Sequence, residues 1–149
     1  MDMSQPSLPA IIETKRLVLR PYRFEDVEDV LTTWPIVAEQ GVVGGINIRL
    51  DFQNRLGEMG WSIARPLWGR GLTTEAALAV IEAAFGTHPG LNRIRAMADA
   101  RNLASHRVIE KIGMRREGTL RQNRITRAEP VDEAWFGVLR SEWDGGRFV

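Results

Sequence analysis

The stretch Arg65-Pro66-Leu67-Trp68-Gly69-Arg70-Gly71-Leu72-Thr73-Thr74-Glu75-Ala76 joins a strand-like run, Gly57 to Ala64, directly to the clearest helix-like run in the chain, Thr73 to Phe85. At a helix start several backbone N–H groups have no intrahelical partner and carry partial positive charge, so an anion is stabilised there. Gly69 and Gly71 would let the backbone approach such an anion with no Cβ in the way, and Arg70 adds a cation beside it. The same residues are also compatible with a plain tight turn: a helix capped by Thr73 or Thr74, with Trp68 packed in a core. Two glycines spaced one apart are neither the six-residue phosphate loop nor a dinucleotide fingerprint, and no Lys-Ser/Thr pair follows them.

Outward from that turn, Ala76 to Ala79, Val80, Ile81, Ala83 and Ala84 give strong helix propensity, and Gly86 is read as the stop. Upstream, residues 1–10 are polar with two prolines and read as a loose arm. Ile11 to Leu19 alternates as a first strand ending at Arg20-Pro21. Phe24 to Leu31 reads as a short helix, with Phe24, Val27, Val30 and Leu31 on one face and Glu25, Asp26, Glu28 and Asp29 on the other. Trp34 to Ala38, Val42 to Leu50 and Gly57 to Ala64 then read as three consecutive strands, expected to pair antiparallel. Downstream, Leu91 to Ala98 is a strand and Leu103 to Ile112 a helix closed by Gly113, while Thr119 to Ile125 and Ala134 to Leu139 form a final strand pair.

The 149 residues, 44% hydrophobic and 26% charged, suit one domain with a real core. With 20 Lys+Arg against 19 Asp+Glu, the net charge of +1 gives no field that would steer the chain to nucleic acid or an anionic membrane. The absence of cysteine excludes disulfides, thiolate metal ligands and cysteine nucleophiles. Two isolated histidines offer no metal-ligand spacing, so no metal is expected. His88 reads as a turn residue beside Pro89, and His106 as a helix residue facing solvent. No basic leader or long apolar run occurs in the sequence, so a cytoplasmic protein is the expectation.

A second segment bears on the turn: Asp99-Ala-Arg-Asn102-Leu-Ala-Ser105, then Lys111-Ile112-Gly113-Met114 and Glu117-Gly118. Read alone, Asn102 is a helix N-cap and Ser105 a small residue of the first turn. Together with Pro66-x-x-Trp68-Gly69-Arg70-Gly71 and Thr74-Glu75-Ala76, the segment resembles the GNAT acetyltransferases, in the branch that includes ribosomal-protein N-terminal acetyltransferases. The similarity spans about Ile11 to Leu139 and is best from Gly57 to Arg121.

The resemblance implies an α+β fold whose mixed, mostly antiparallel sheet splays between the strand at 57–64 and the strand at 91–98, where acetyl-CoA inserts its pantetheine arm. Its pyrophosphate would lie on the amides from Trp68 through Gly69, Arg70, Gly71 and Leu72 to Thr73, with Ser62, Ile63, Ala64, Asn102 and Ser105 also against the cofactor. Ser105 would protonate the departing thiolate. The acceptor would be a primary amine, on a peptide N-terminus or a small molecule, attacking directly while N–H donors along Met59 to Ile63 stabilise the oxyanion. Glu58 is the candidate base and Asp99 the second choice. Two departures stand out. Pro66 replaces a usual Gln or Arg, and Leu31 is followed almost at once by Trp34 where relatives place a second helix. A binding module with an incomplete acceptor site is thus a rival to an enzyme, and either a monomer or a homodimer fits the exposed edges.

Overall fold

A computed structural model of the chain describes residues 12–13, 15, 18–19, 29–39, 41–64, 67–144 and 147–148. In chain order the elements are β1 (Ile12–Glu13), β2 (Val18–Leu19), β3 (Asp29–Ala38), β4 (Gly41–Asp51), β5 (Leu56–Ile63), α1 (Leu72–Thr87), β6 (Arg93–Asp99), α2 (Leu103–Lys111), β7 (Arg115–Thr126) and β8 (Glu129–Leu139). A 3-10 turn, Arg140–Glu142, leads to β9 (Trp143–Asp144) and β10 (Arg147–Phe148).

β3 to β8 form one sheet in the order β3-β4-β5-β6-β8-β7, antiparallel everywhere except between β5 and β6. Those two are parallel because α1 carries the chain back between them, the connection a parallel pair requires. Strict alternation along β6 buries Ile94, Ala96 and Ala98 on one face. Against that face α1 lays Thr73, Ala77, Val80, Ile81, Ala84 and Phe85, a stripe at helical spacing. Ile109, Ile112 and Met114 from α2 and its exit, with Ala134, Phe136 and Val138 from β8, complete the core.

α2 ends as expected at Gly113, whose φ of 88° few other residues adopt. Its N–H donates to the Glu110 carbonyl and that of Met114 to the Ile109 carbonyl, so two orphan carbonyls are satisfied. Gly86, in contrast, does not stop α1. The helix runs on to Thr87, and the Arg140 guanidinium receives its end, donating to the carbonyls of Phe85, His88 and Leu91. A cation at a helix C-terminus also suits the dipole there.

Other readings are corrected at the N-terminal side. Residues 29–31 are strand, not helix, since β3 pairs with β4 from Asp29↔Asp51 onward. The rest of the expected helix, residues 24–28, lies outside the described residues. The expected first strand is instead two short ones, β1 and β2, paired antiparallel.

Candidate active site

The parallel pairing of β5 with β6 runs from Leu56↔Arg93 to Met59↔Ala96 and stops, although both strands continue. β5 instead stays with β4 as far as Gly44↔Ile63. Gly44 permits this, because a Cβ there would collide with the Ser62 carbonyl. Close approach to β4 draws β5 away from β6, and the sheet opens where the splay was expected.

The main-chain groups of the opened edge follow from strand alternation. The Ala64 N–H donates to the Val43 carbonyl at 2.8 Å. With no register slip in β4–β5, Ser62 and Gly60 also turn their N–H groups to β4, whereas Trp61 and Ile63 turn theirs into the gap. The edge therefore offers two amide donors, at Trp61 and Ile63, and the Ala64 amide is spent on the sheet. The Ile63 carbonyl accepts the Trp68 indole N–H at 2.9 Å, tying the glycine turn to the end of β5.

At the turn, Gly69 and Gly71 have φ of 79° and 75°. Gly71 itself is the N-cap of α1 and no side chain caps the helix, which corrects the reading of Thr73 or Thr74 as cap. Thr73 is buried on the core side. Trp68 is 53% exposed and so does not fill the core, where Leu67 anchors the turn. A Cβ at Gly69 or Gly71 would meet nothing within 4 Å, so the turn itself borders open space just ahead of the first-turn amides of α1. Arg70 is exposed beside them, while Pro66 lies outside the described residues.

A cavity of about 940 Å³ occupies the gap. Ile46, Asn47, Met59, Gly60, Trp61 and Ser62 line one side, and Met97, Ala98, Asp99, Asn102, Ser105 and Ile109 the other. Asn102 caps α2, its side-chain oxygen accepting the Ser105 N–H at 3.1 Å, and both residues line the cavity. The cap and the cavity lining are thus the same residues.

The acids fall differently. Asp99 lines the cavity, but the Arg101 side chain, followed by the Arg101 backbone N–H, holds its carboxyl down to about 2. Glu58 is not in the lining; it lies in the sheet beside Arg95, whose Nε and Nη2 both donate to its Oε2 at 3.0 and 2.8 Å. His106 is buried rather than solvent-facing, its ring tilted against that of Phe136 at 5.3 Å, with Nε2 donating to the Asp99 carbonyl at 3.0 Å. His88 is the C-cap of α1, its ring 5.2 Å from that of Phe52.

Several cavity residues escape sequence reading: Asn47, Arg124, Thr126, Arg127 and Glu129. Asn47 had a signal, the single polar residue between Ile46 and Ile48 on the opposite face of an alternating strand. Arg124 to Glu129 had none, being a charged hairpin tip that is brought to the site by tertiary pairing alone.

The open mixed sheet, split between two parallel strands and followed by a glycine-turned helix start, is the mixed α/β architecture of acetyltransferases. Residues 31–115 match the acetyltransferase (GNAT) domain family, and the chain belongs to that family. A Bacillus subtilis (strain 168) protein named as an uncharacterized N-acetyltransferase, YnaD, is 34% identical over 106 residues, 71% of this chain and 62% of that one. Another from the same organism, provisionally named a ribosomal N-acetyltransferase, YdaF, is 34% identical over 96 residues, covering 64% of this chain and 52% of the relative. The crystal structure of a GNAT-family acetyltransferase from Bacillus anthracis superposes with a TM-score of 0.66 at 33% identity, covering 74% of this chain and 67% of that one. The matches thus span between about half and two thirds of these proteins' lengths. No helix among the described residues is long and apolar enough to cross a membrane.

Proposed function

We propose that the chain is an N-acetyltransferase that takes the acetyl group of acetyl-CoA and places it on a primary amine by direct attack. The observation that carries this is the end of β5–β6 pairing at Met59↔Ala96, which leaves a cavity between the two parallel strands; the uncapped start of α1 follows β5 through the glycine turn, outside the lining of that cavity. Acetyl-CoA supplies an already activated thioester, so no covalent intermediate on the protein is required.

The chain's own groups then divide the work. First-turn amides of α1 and the cation of Arg70 hold the diphosphate, with Gly69 and Gly71 giving backbone access. Trp61 and Ile63 N–H groups face the gap and serve the developing oxyanion, where a donor fixed in advance needs no reorganisation. Ser105 Oγ hands a proton to the departing sulfur. Both oxygens of Asp99 are engaged by Arg101, whereas Glu58 keeps Oε1 outside its Arg95 contacts. The amine's proton is therefore assigned to Glu58 through water, since its side chain is not at the cavity wall. The cytoplasm, with its acetyl-CoA, is the compartment that suits this reading.

Thiol release from acetyl-CoA with a panel of peptides and small amines tests the activity. Ser105→Ala should lower kcat by about a hundredfold, as loss of a positioned proton donor does, while calorimetric affinity for acetyl-CoA stays unchanged. Glu58→Gln should lower kcat/KM most near neutral pH, where the amine is still protonated, and leave the alkaline rise set by the amine itself. A second reading, a module that binds acyl-CoA without catalysis, is favoured by β3, which runs unbroken from Asp29 to Ala38 with no helix between Leu31 and Trp34. Binding without thiol release for any amine would select it.

A further inference from the structure

Resting on the acetyltransferase reading, we propose that the acceptor amine carries a carboxylate close by, recognised by Arg124 and Arg127 at the mouth of the cavity. The charged residues of the lining are Arg101, Arg124, Arg127, Asp99 and Glu129. Arg101 spends its Nε and Nη2 on Asp99, so that pair is neutral and closed. Among the described residues, Arg124 and Arg127 thus bring two guanidinium groups to the mouth, with Glu129 in the lining and Glu133 behind Arg124.

Arg124 is aimed by a built distortion. Between Leu120↔Glu133 and Arg124↔Val131 the register of β7–β8 slips, so β7 carries three intervening residues against one on β8. Gln122 takes a φ of 49°, and its N–H donates to the Asp132 carboxylate at 2.9 Å, pinning the bulge. Such bulges re-aim side chains beside sites. Behind Arg124 sits Glu133, 6% exposed, whose Oε1 accepts both the Asn123 amide at 2.9 Å and the Trp135 indole N–H at 2.8 Å.

That carboxylate is fixed, and its other oxygen lies 3.8 Å from Arg124 Nη1, close enough to hold the cation but beyond hydrogen-bond length. The guanidinium is thus retained at the wall, half exposed, with its planar donors unspent, which suits a carboxylate taken in two parallel bonds. Arg127, exposed at the hairpin tip with a φ of 52°, is engaged by none of the ion pairs among the described residues.

The test compares kcat/KM with acetyl-CoA for amidated peptides that have a free N-terminus and Asp, Asn or Lys as second residue, for glycine, and for a linear polyamine. The Asp peptide or glycine should lead the Asn and Lys peptides by about tenfold, the effect of one charge-assisted contact. Which of the two leads tells a side-chain carboxylate from an α-carboxylate. Arg124→Gln and Arg127→Gln should each shrink that lead through KM, with the rate on the Asn peptide little changed. Arg127→Gln changes only an exposed tip, so it answers even if Arg124→Gln misfolds. A lead for the Lys peptide or the polyamine, or an acidic preference that survives both substitutions, would overturn the proposal. If no amine turns over, the acetyltransferase reading fails by itself; calorimetry of the same peptides on the coenzyme A complex then decides the carboxylate preference, with equal affinities counting against it.

Discussion

Gly71 and Gly41 both have positive φ, 75° and 110°, and a Cβ at either would meet no atom within 4 Å. Valine at either position should thus strain the backbone, since both φ values favour glycine. Only Gly71 borders the α1 amides. Gly71→Val should weaken acetyl-CoA binding by tenfold or more, an effect on the order of one lost charge-assisted contact. Gly41→Val should leave affinity unchanged even though it lowers the melting temperature. Asp99 makes a separate prediction. Its carboxyl lies at about 2 instead of the ordinary 3.8, so the folded state binds this proton less readily than the unfolded chain does. The stability that Arg101 confers is then full above about pH 4 and lost as pH falls through about 2, the direction for a depressed acid. Acid unfolding of wild type and Arg101→Ala should therefore converge over that window. At this scale the sequence showed the residues that shape the backbone locally, the turn glycines Gly69 and Gly71 and the α2 cap Asn102. It was blind to Arg95 beside Glu58 and to Glu133 behind Arg124, because those partners meet only across strands.

One substitution, Gly→Ala, should have opposite signs in two elements. Gly86 lies inside α1 on the exposed side with open space around it, so alanine there should stabilise by about 0.5–1 kcal/mol through lower unfolded-state entropy. Gly44 lies where β5 presses on β4, and an added methyl would strike the Ser62 carbonyl. Gly44→Ala should cost about 1–3 kcal/mol and also shift β5 toward β6, narrowing the gap and lowering affinity for acetyl-CoA. Thermal melts with calorimetry read both. Elements with a strong local signal of their own were legible, α1 through its alanine-rich propensity and β4 and β6 through alternation. Two boundaries were not, for identifiable reasons. Gly86 looked like a stop because Arg140, which sustains the helix end, is 54 positions away in sequence. Residues 29–31 looked helical because their spacing fits both periods, and pairing with β4 decided for strand.

Among the described residues, a six-stranded sheet with α1 and α2 sharing one core places its single parallel junction at the centre, and that junction is where the sheet opens. The order of elements made this fold readable, since a strand, a glycine turn, a long helix and another strand dictate a parallel pair. The breadth of the cavity and the arginines at its mouth were not readable, because they depend on how the β7–β8 hairpin folds back over the gap. The central claim is that acetyl-CoA lies in this gap, its diphosphate on the start of α1 and its thioester against β5. Backbone amide NMR during titration tests this most directly. Acetyl-CoA should move the Trp61 and Ile63 resonances together with those of Gly69 to Thr74, while ATP at equal concentration moves β5 little. Saturation with acetyl-CoA that leaves Trp61, Ile63 and the first turn of α1 unmoved, or an equal response to ATP at both places, would contradict it.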